Sequence, residues 1–331
     1  MNAPDDLANE KKASEAYSRI HFENSTQELD AAEVDWWNKF AAIEEKYCWV
    51  HTPEIQKILR QDYLRTIIRM TPKGGSIAEV GCGGGWMCLL LAELGASSVY
   101  GVDISRKQIE IAEAKAKAAG YDDRVKFKVV DAGQLDGNQS RFDVVIAHGF
   151  LHHLSRTEIR GVLGLIRGML KPGGLLFVFE PVIYPGDQGD PVSNFLMSLL
   201  TRLYSSLIRG QDIGLRKVVP AEREIRDMLE ERCVGVRPHG PSPKEMPFLK
   251  QELTALLEEN FAIKESQRCM ICTHLVAQEL LLLKFSHPTR AKIISGAYLR
   301  FARAIERTLL RRQRVPGNTW IFEMFVCSCK N

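Results

Sequence analysis

The sequence predicts a doubly wound α/β fold, and three observations carry that prediction. Between Ser76 and Phe179, short apolar runs alternate with helical stretches. Units of this length in alternation imply a parallel sheet with helices on both faces. The first apolar run ends in a glycine cluster, Gly81-Cys82-Gly83-Gly84-Gly85, at a strand-to-helix junction. Breakers stand at the joints: Thr71-Pro72-Lys73-Gly74-Gly75, Gly120 and Lys171-Pro172-Gly173-Gly174.

Residues 1 to about 30 are polar and acidic and read as poorly ordered or loosely helical. From Ala31 an amphipathic helix places Trp36, Phe40, Ile43 and Tyr47 on one face, with Trp37 beside them. That face either packs as ordinary core or covers a ligand site. A second helical stretch runs from about Pro53 to Met70. Strands follow at Ser76–Val80, Ser98–Val102, Val125–Val130, Phe142–Ala147 and Leu175–Phe179, with helices at Trp86–Leu94, Arg106–Ala119 and Ile159–Leu170. After Glu180 the rhythm breaks. An apolar helix is expected at Asn194–Ile208 and a charged one at Ala221–Glu231. The helix Pro247–Glu259, the strand Phe261–Arg268, a helical excursion and a closing strand Thr319–Cys329 come next. The organisation expected is a helical cap at 1–75, a core at 76–181, a helical insertion at 182–245, and the rest of the sheet at 246–331. That last part carries a basic helical insertion at about 270–316.

A 331-residue chain with 45% hydrophobic and 26% charged residues is neither disordered nor fibrous. Its net charge is only +3, yet Lys284 to Arg314 holds nine basic residues against one acid, Glu306. The basic charge is therefore local. A helix there sets Arg300, Arg303, Arg307, Arg311 and Arg314 on one stripe, and Phe301, Ile305 and Leu309, reinforced by Tyr298, on another face. Such a helix is either a solvated lid or a contact with an anionic membrane surface. Nucleic acid is disfavoured, because aromatic interleaving is sparse. The first residues have no apolar secretory core and no apolar run reaches a bilayer's span, so a cytoplasmic protein is expected, with membrane contact at most peripheral. The eight cysteines then read as thiols, mostly small buried hydrophobes; Cys269-x-x-Cys272 has no partner pair at zinc spacing, and no metal is expected.

The chemistry resides in the glycine cluster and the acids around it. Glu79-Val80-Gly81-Cys82-Gly83-Gly84-Gly85 ends the first strand, where glycine lets backbone approach a ligand and open amides at a helix start favour an anionic group. The spacing is G-x-G-x-G behind an acid. A dinucleotide fingerprint needs a small residue where Trp86 stands, which disfavours a nicotinamide oxidoreductase. Asp103 ends the second strand, and Asp131, followed by Ala132, ends the third. Each acid also suits a helix N-terminus.

Together, E-V-G-C-G-G-G, G-V-D-I, V-V-D-A, F-D-V-V-I-A-H-G-F-L-H-H-L and L-K-P-G-G resemble the successive motifs of class I S-adenosylmethionine-dependent methyltransferases, closest to the small-molecule branch. The resemblance covers about 76 to 182 and, more loosely, 246 to 268 and 319 to 330. It implies a seven-stranded, mostly parallel sheet with an antiparallel last strand. It further implies that Gly81, Gly83 and Gly85 form the cofactor loop and that Glu79 holds the methionine ammonium. Asp103 would bind the ribose and Ile104 pack on the adenine. Asp131 would accept from the adenine amino group, Ala132 would touch the ring, and His148 would border the methionine moiety.

Methyl transfer from a sulfonium needs in-line, dry positioning, and a base only where the acceptor must lose a proton. His148, His152 and His153, after the fourth strand, are the candidate bases. No Asn/Asp-Pro-Pro-Tyr box, no Pro-Cys nucleophile and no Asp pair for magnesium is evident, which leaves an O, N or C atom of a small, hydrophobic or lipidic acceptor. The alternative is a non-catalytic partner protein with the same fold. Oligomeric state is not legible.

Overall fold

The computed structural model describes residues 26–47, 49–51, 53–137, 140–184, 191–196, 199, 244, 248–270, 288–312 and 320–330. Helix α1 (Thr26–Tyr47) leads to a 3₁₀ turn (Trp49–His51) and to one helical rod in three parts: α2 (Pro53–Leu59), a π turn (Arg60–Leu64) and α3 (Arg65–Met70). The sequence predicts one helical stretch over this rod. Its π turn packs inward instead, with Tyr63 and Leu64 buried.

Then the expected alternation appears: β1 (Ser76–Val80), α4 (Trp86–Glu93), β2 (Ser98–Asp103), α5 (Arg106–Ala118), β3 (Val125–Val129), β4 (Phe142–His148), α6 (Arg156–Met169) and β5 (Leu170–Ile183). Short 3₁₀ turns follow β3 at Ala132–Gln134 and β4 at Leu151–His153. Side chains start the helices: Ser105 accepts from the Gln108 amide, and Ser155 with Glu158 closes a capping box on α6. The chain resumes with β6 (Phe248–Leu249), α7 (Lys250–Glu258), β7 (Phe261–Met270), α8 (Pro288–Arg311) and β8 (Trp320–Cys329). The expected helices at 194–208 and 221–231 fall mostly outside the described residues, of which 191–196 are helical.

The sheet order is β3-β2-β1-β4-β5-β8-β7, with the two-residue β6 on β5. Strands β1 to β5 are parallel, and β8 enters antiparallel between β5 and β7. The seven-stranded sheet with an antiparallel final strand is thus present, with β6 as an unforeseen eighth. Strand β5 outruns its expected end at Phe179 because β8 pairs with it as far as Ile183 opposite Trp320. The central strands are buried on both faces, Val144–Ala147 and Leu176–Phe179 throughout, as parallel strands between helices require. The order reverses between β1 and β4, and in open α/β sheets the ligand crevice lies at that point, beyond the strands' carboxyl ends.

Among the described residues no helix is long and apolar enough to cross a membrane. In α8, Tyr298, Leu299, Ala302, Ile305 and Leu309 are buried while Arg300, Phe301, Arg307 and Arg311 are exposed. Two expectations for this helix change. Arg303 turns inward to the wholly buried Glu306, and Phe301 leaves the apolar face. Each i+4 step advances the helix by about 40°, so the series 301, 305, 309 rotates across the surface and its first member emerges. Arg314 lies outside the described residues.

Candidate cofactor and acceptor site

The glycine loop is stitched to β2. The amides of Gly81 and Cys82 both donate to the Val102 carbonyl, and that of Gly85 donates to the Cys82 carbonyl. The Gly83 amide donates to Asp103 Oδ2 at 2.9 Å, and the Ser105 amide to Asp103 Oδ1 at 2.9 Å. The sequence suggested open amides; four of them are engaged within the protein, because the loop closes onto the end of β2. Asp103 therefore holds both the loop and the start of α5. Burial pushes its carboxyl pKa up, against the pull of those amides.

Gly81 and Gly85 have φ near +70°, a region that side chains rarely adopt. What faces them differs from the expectation of ligand contact. A Cβ on Gly81 would sit 2.5 Å from the Phe150 ring, and one on Gly85 would meet Ala112 and Phe127 at 2.7 Å. Gly85 thus serves the packing of α5 and β3 on the loop. Phe150, which the sequence reading passed over, forms the wall above Gly81.

Glu79 is buried beneath the loop. Its Oε2 accepts from the Cys88 Sγ at 2.8 Å, and the Cys88 amide also donates to its carboxyl group. Burial outweighs these bonds and raises its pKa to about 8, with Asp103 adding like charge. Among the described residues no cation pairs with this desolvated carboxyl, whose neighbour is a thiol, and an ammonium group is the ligand that would complete it. At the end of β3, Asp131 is exposed and accepts from the Gly133 amide at 2.7 Å, while Ala132 is buried behind it. Capping and ligand contact are compatible at all three acids, since a carboxylate offers about four acceptor positions. Ile104 lies half-buried between Asp103 and Ser105.

The three histidines take different partners, although the His152 and His153 rings lie 4.1 Å apart. His148 ends β4, its ring stacked on Phe179 at 4.6 Å and edge-on to Trp86 at 5.2 Å. Its Nε2 is buried and has no hydrogen-bond partner among the described residues. Burial lowers its pKa to about 4, although Glu180 pulls the other way. His152 is buried and bonds through Nδ1 to Glu180 Oε2 at 2.6 Å. Glu180 Oε1 also takes the amides of Phe150, at 2.8 Å, and Leu151, at 2.7 Å. His152 is thus tied into the support of the β4 loop. His153 faces α1, with Nδ1 3.4 Å from Glu33 and its ring edge-on to Trp37 at 5.0 Å.

Helix α1 spans this end of the sheet. Asn38 Oδ1 accepts from Ser105 Oγ at 2.8 Å and from the Lys107 amide at 3.1 Å. Glu33 accepts from Trp37 Nε1 and from the Lys244 amide, while Lys244 Nζ reaches Asp30 and Glu158. Trp36 and Phe40 stack at 5.5 Å, as their spacing predicts. The side chains of Ile43 and Tyr47 lie outside the described residues.

The glycine loop, the strand-end acids and the three histidines lie in a stretch that matches a known family. Residues 77–174 match the methyltransferase domain family. Over 116 residues the chain is 34% identical to the 27-O-demethylrifamycin SV methyltransferase of Amycolatopsis mediterranei, covering 35% of this chain and 42% of that protein. It is 28% identical over 178 residues to the ubiquinone biosynthesis O-methyltransferase of Brucella anthropi, covering 47% and 65%. A SAM-dependent methyltransferase structure from Methanosarcina mazei covers 79% of this chain and 95% of its own, at 20% identity and a TM-score of 0.46. The chain spans from 42% to 65% of the length of these two curated relatives. With its glycine loop, its strand-end acids and its sheet order, the segment 77–174 is a methyltransferase domain of the class I, S-adenosylmethionine-dependent kind.

Proposed function

We propose that the protein transfers a methyl group from S-adenosylmethionine to an O, N or C atom of a small hydrophobic or lipidic acceptor, with oxygen favoured. The observation that carries this reading is the pairing of a cation-deficient buried carboxyl, Glu79, with Asp103 at the next strand end, on either side of one glycine loop. Glu79 would hold the ammonium, Asp103 the ribose, and Asp131 with Ala132 the adenine. The bound cofactor supplies an electrophilic methyl group on a cationic sulfur. The chain binds, orients and dries the reactants. The O-methyltransferase names of the two relatives support oxygen as the acceptor atom.

Of the candidate bases, His148 fits best. Its ring is neutral at neutral pH, and its Nε2 has no partner among the described residues. A labelled-methyl transfer assay against cell extracts, with mass spectrometry of the product, tests the reading. Calorimetry with S-adenosylmethionine and S-adenosylhomocysteine separates it from the alternative, a non-catalytic partner protein: no binding of either supports the partner role.

A second reading concerns α8, where Phe301 stands exposed beside Arg300, with Arg307 and Arg311 on the same outer face. An apolar ring among arginines suits an anionic membrane surface, where a lipidic acceptor would reside. Cosedimentation with anionic vesicles at low salt tests this, and absence of binding refutes it.

A further inference from the structure

Among the described residues, Tyr63 carries a second orphaned polar atom near that of His148. Tyr63 lies in the π turn, 1% exposed, and its hydroxyl has no hydrogen-bond partner. A buried hydroxyl left unmet forfeits the bonds that water would give it, so such a group requires a reason. Its ring centroid is 5.9 Å from that of His148 and 4.8 Å from that of Phe179. Phe179 stacks in turn on Phe322 at 5.2 Å, and Trp86 closes on His148 from the glycine-loop side. The rings of Tyr63, His148, Phe179, Phe322 and Trp86 thus make one aromatic cluster, and it contains two polar atoms without a partner among the described residues. A π turn within a helix is a common way to push a functional side chain out of register, and here it carries Tyr63.

We propose that Tyr63 and His148 form a receptor for the hydroxyl group of a flat aromatic acceptor, with Tyr63 as its positioning residue. The proposal rests on the methyltransferase reading above and names the substrate class of that site. One hydroxyl satisfies both atoms: it donates to the His148 Nε2 lone pair and accepts from the Tyr63 hydroxyl. A neutral His148 is the form that accepts, and burial keeps it so. Trp86 and Phe322, the partly buried rings of the cluster, supply apolar surface for a planar molecule. An amine that is cationic at neutral pH has no lone pair for Tyr63 to bond, and an alkyl carbon leaves both orphans unmet.

The test uses the full chain saturated with S-adenosylhomocysteine and two probes of similar shape, 2-naphthol and 2-methylnaphthalene, with binding followed by fluorescence. The wild type is expected to bind the naphthol about tenfold more tightly, the effect of one or two net hydrogen bonds. Its emission should show naphtholate character when the hydroxyl lies against an imidazole base. Tyr63→Phe should bind S-adenosylhomocysteine as the wild type does, bind the two probes within about twofold of each other, and unfold at no lower denaturant concentration, since it loses only an unbonded hydroxyl. Three results overturn the receptor alone: no preference in the wild type, a preference retained in Tyr63→Phe, or a loss of stability showing that the hydroxyl is structurally bonded. Failure of the wild type to bind S-adenosylhomocysteine overturns the methyltransferase reading and the receptor with it.

Discussion

Glu180 and Glu323 stand directly opposite each other across the antiparallel β5–β8 pair, two carboxyl groups both wholly or almost wholly buried. Opposed residues of an antiparallel pair share a face, and like charges there are destabilising unless each is separately satisfied. Each is. Glu180 takes Phe150, Leu151 and His152 from the end of β4, whereas Glu323 takes Lys250, Ser266 and the Tyr184 hydroxyl. One carboxyl shapes the site and its neighbour fastens β8 to α7 and β7.

Removing the first of these should be costly. Glu180→Ala strands the buried Leu151 amide and the part-buried Phe150 amide and removes the partner of His152 Nδ1, and a loss of about 3–5 kcal/mol is expected by denaturant unfolding. Glu180→Gln keeps an acceptor for the amides and should lose less than half as much. Equal losses in the two variants would show that its charge, rather than its bonds, is what the fold needs.

Glu79 predicts a pH dependence. Its folded pKa, about 8 through burial, exceeds the ordinary 4.5, so the folded chain binds more protons than the unfolded one between those values. Stability therefore declines as pH rises through that window, and the decline ends above about 8. Glu79→Gln should flatten this slope in unfolding measurements from pH 5 to 9. Binding of an ammonium ligand selects the ionised carboxyl, so cofactor binding at pH 7 should release a proton. Calorimetry in buffers of different ionisation enthalpy reads that release, and its absence would detach Glu79 from the ammonium.

Asp103 should matter for affinity in two ways, through the ligand and through the loop it holds by the Gly83 amide. Asp103→Ala is expected to weaken S-adenosylmethionine binding by at least about tenfold, or ~1.4 kcal/mol. An unchanged dissociation constant would reduce Asp103 to a cap.

His148→Ala should lower turnover far more than cofactor affinity. Steady-state rates alongside calorimetry decide, and unchanged turnover would remove His148 from the mechanism.

Gly81→Ala should fail in binding and in stability together. It forces a side chain into φ +74° and drives a methyl group to within 2.5 Å of Phe150. Overpacking of this kind costs about 1–3 kcal/mol. Pairing it with Phe150→Ala should recover part of the stability, measured by unfolding, if the ring is the obstacle.

Four of the first five strands were legible as short, mainly apolar runs near glycine or proline, whereas β3 alternates its apolar residues with Lys126 and Lys128; all of these signals are local. The strand-end acids were legible for the same reason. What escaped the sequence reading depends on distant pairs. Glu180 was visible as the end of an apolar run, but its hold on His152 is a contact across 28 positions, and the hold of Glu33 on the Lys244 amide spans 211. The covering of Gly81 by Phe150 has no periodic signature. The π turn that sets Tyr63 inward was hidden because its residues continue an ordinary helical pattern. The three histidines looked equivalent in the string and part company only through the partners that the fold assigns them.

The position of β8 has a consequence for how the sheet is assembled. Strand β7 hydrogen-bonds only to β8 among the described residues, yet it precedes β8 by some fifty positions of chain. Until β8 is in place, β7 has no berth and β5 offers a long, bare, apolar edge. A ribosome-bound or truncated chain therefore carries an adhesive strand edge next to its future reaction centre. Completing that edge is the late, non-local step of folding, and shielding from other chains matters most before it occurs.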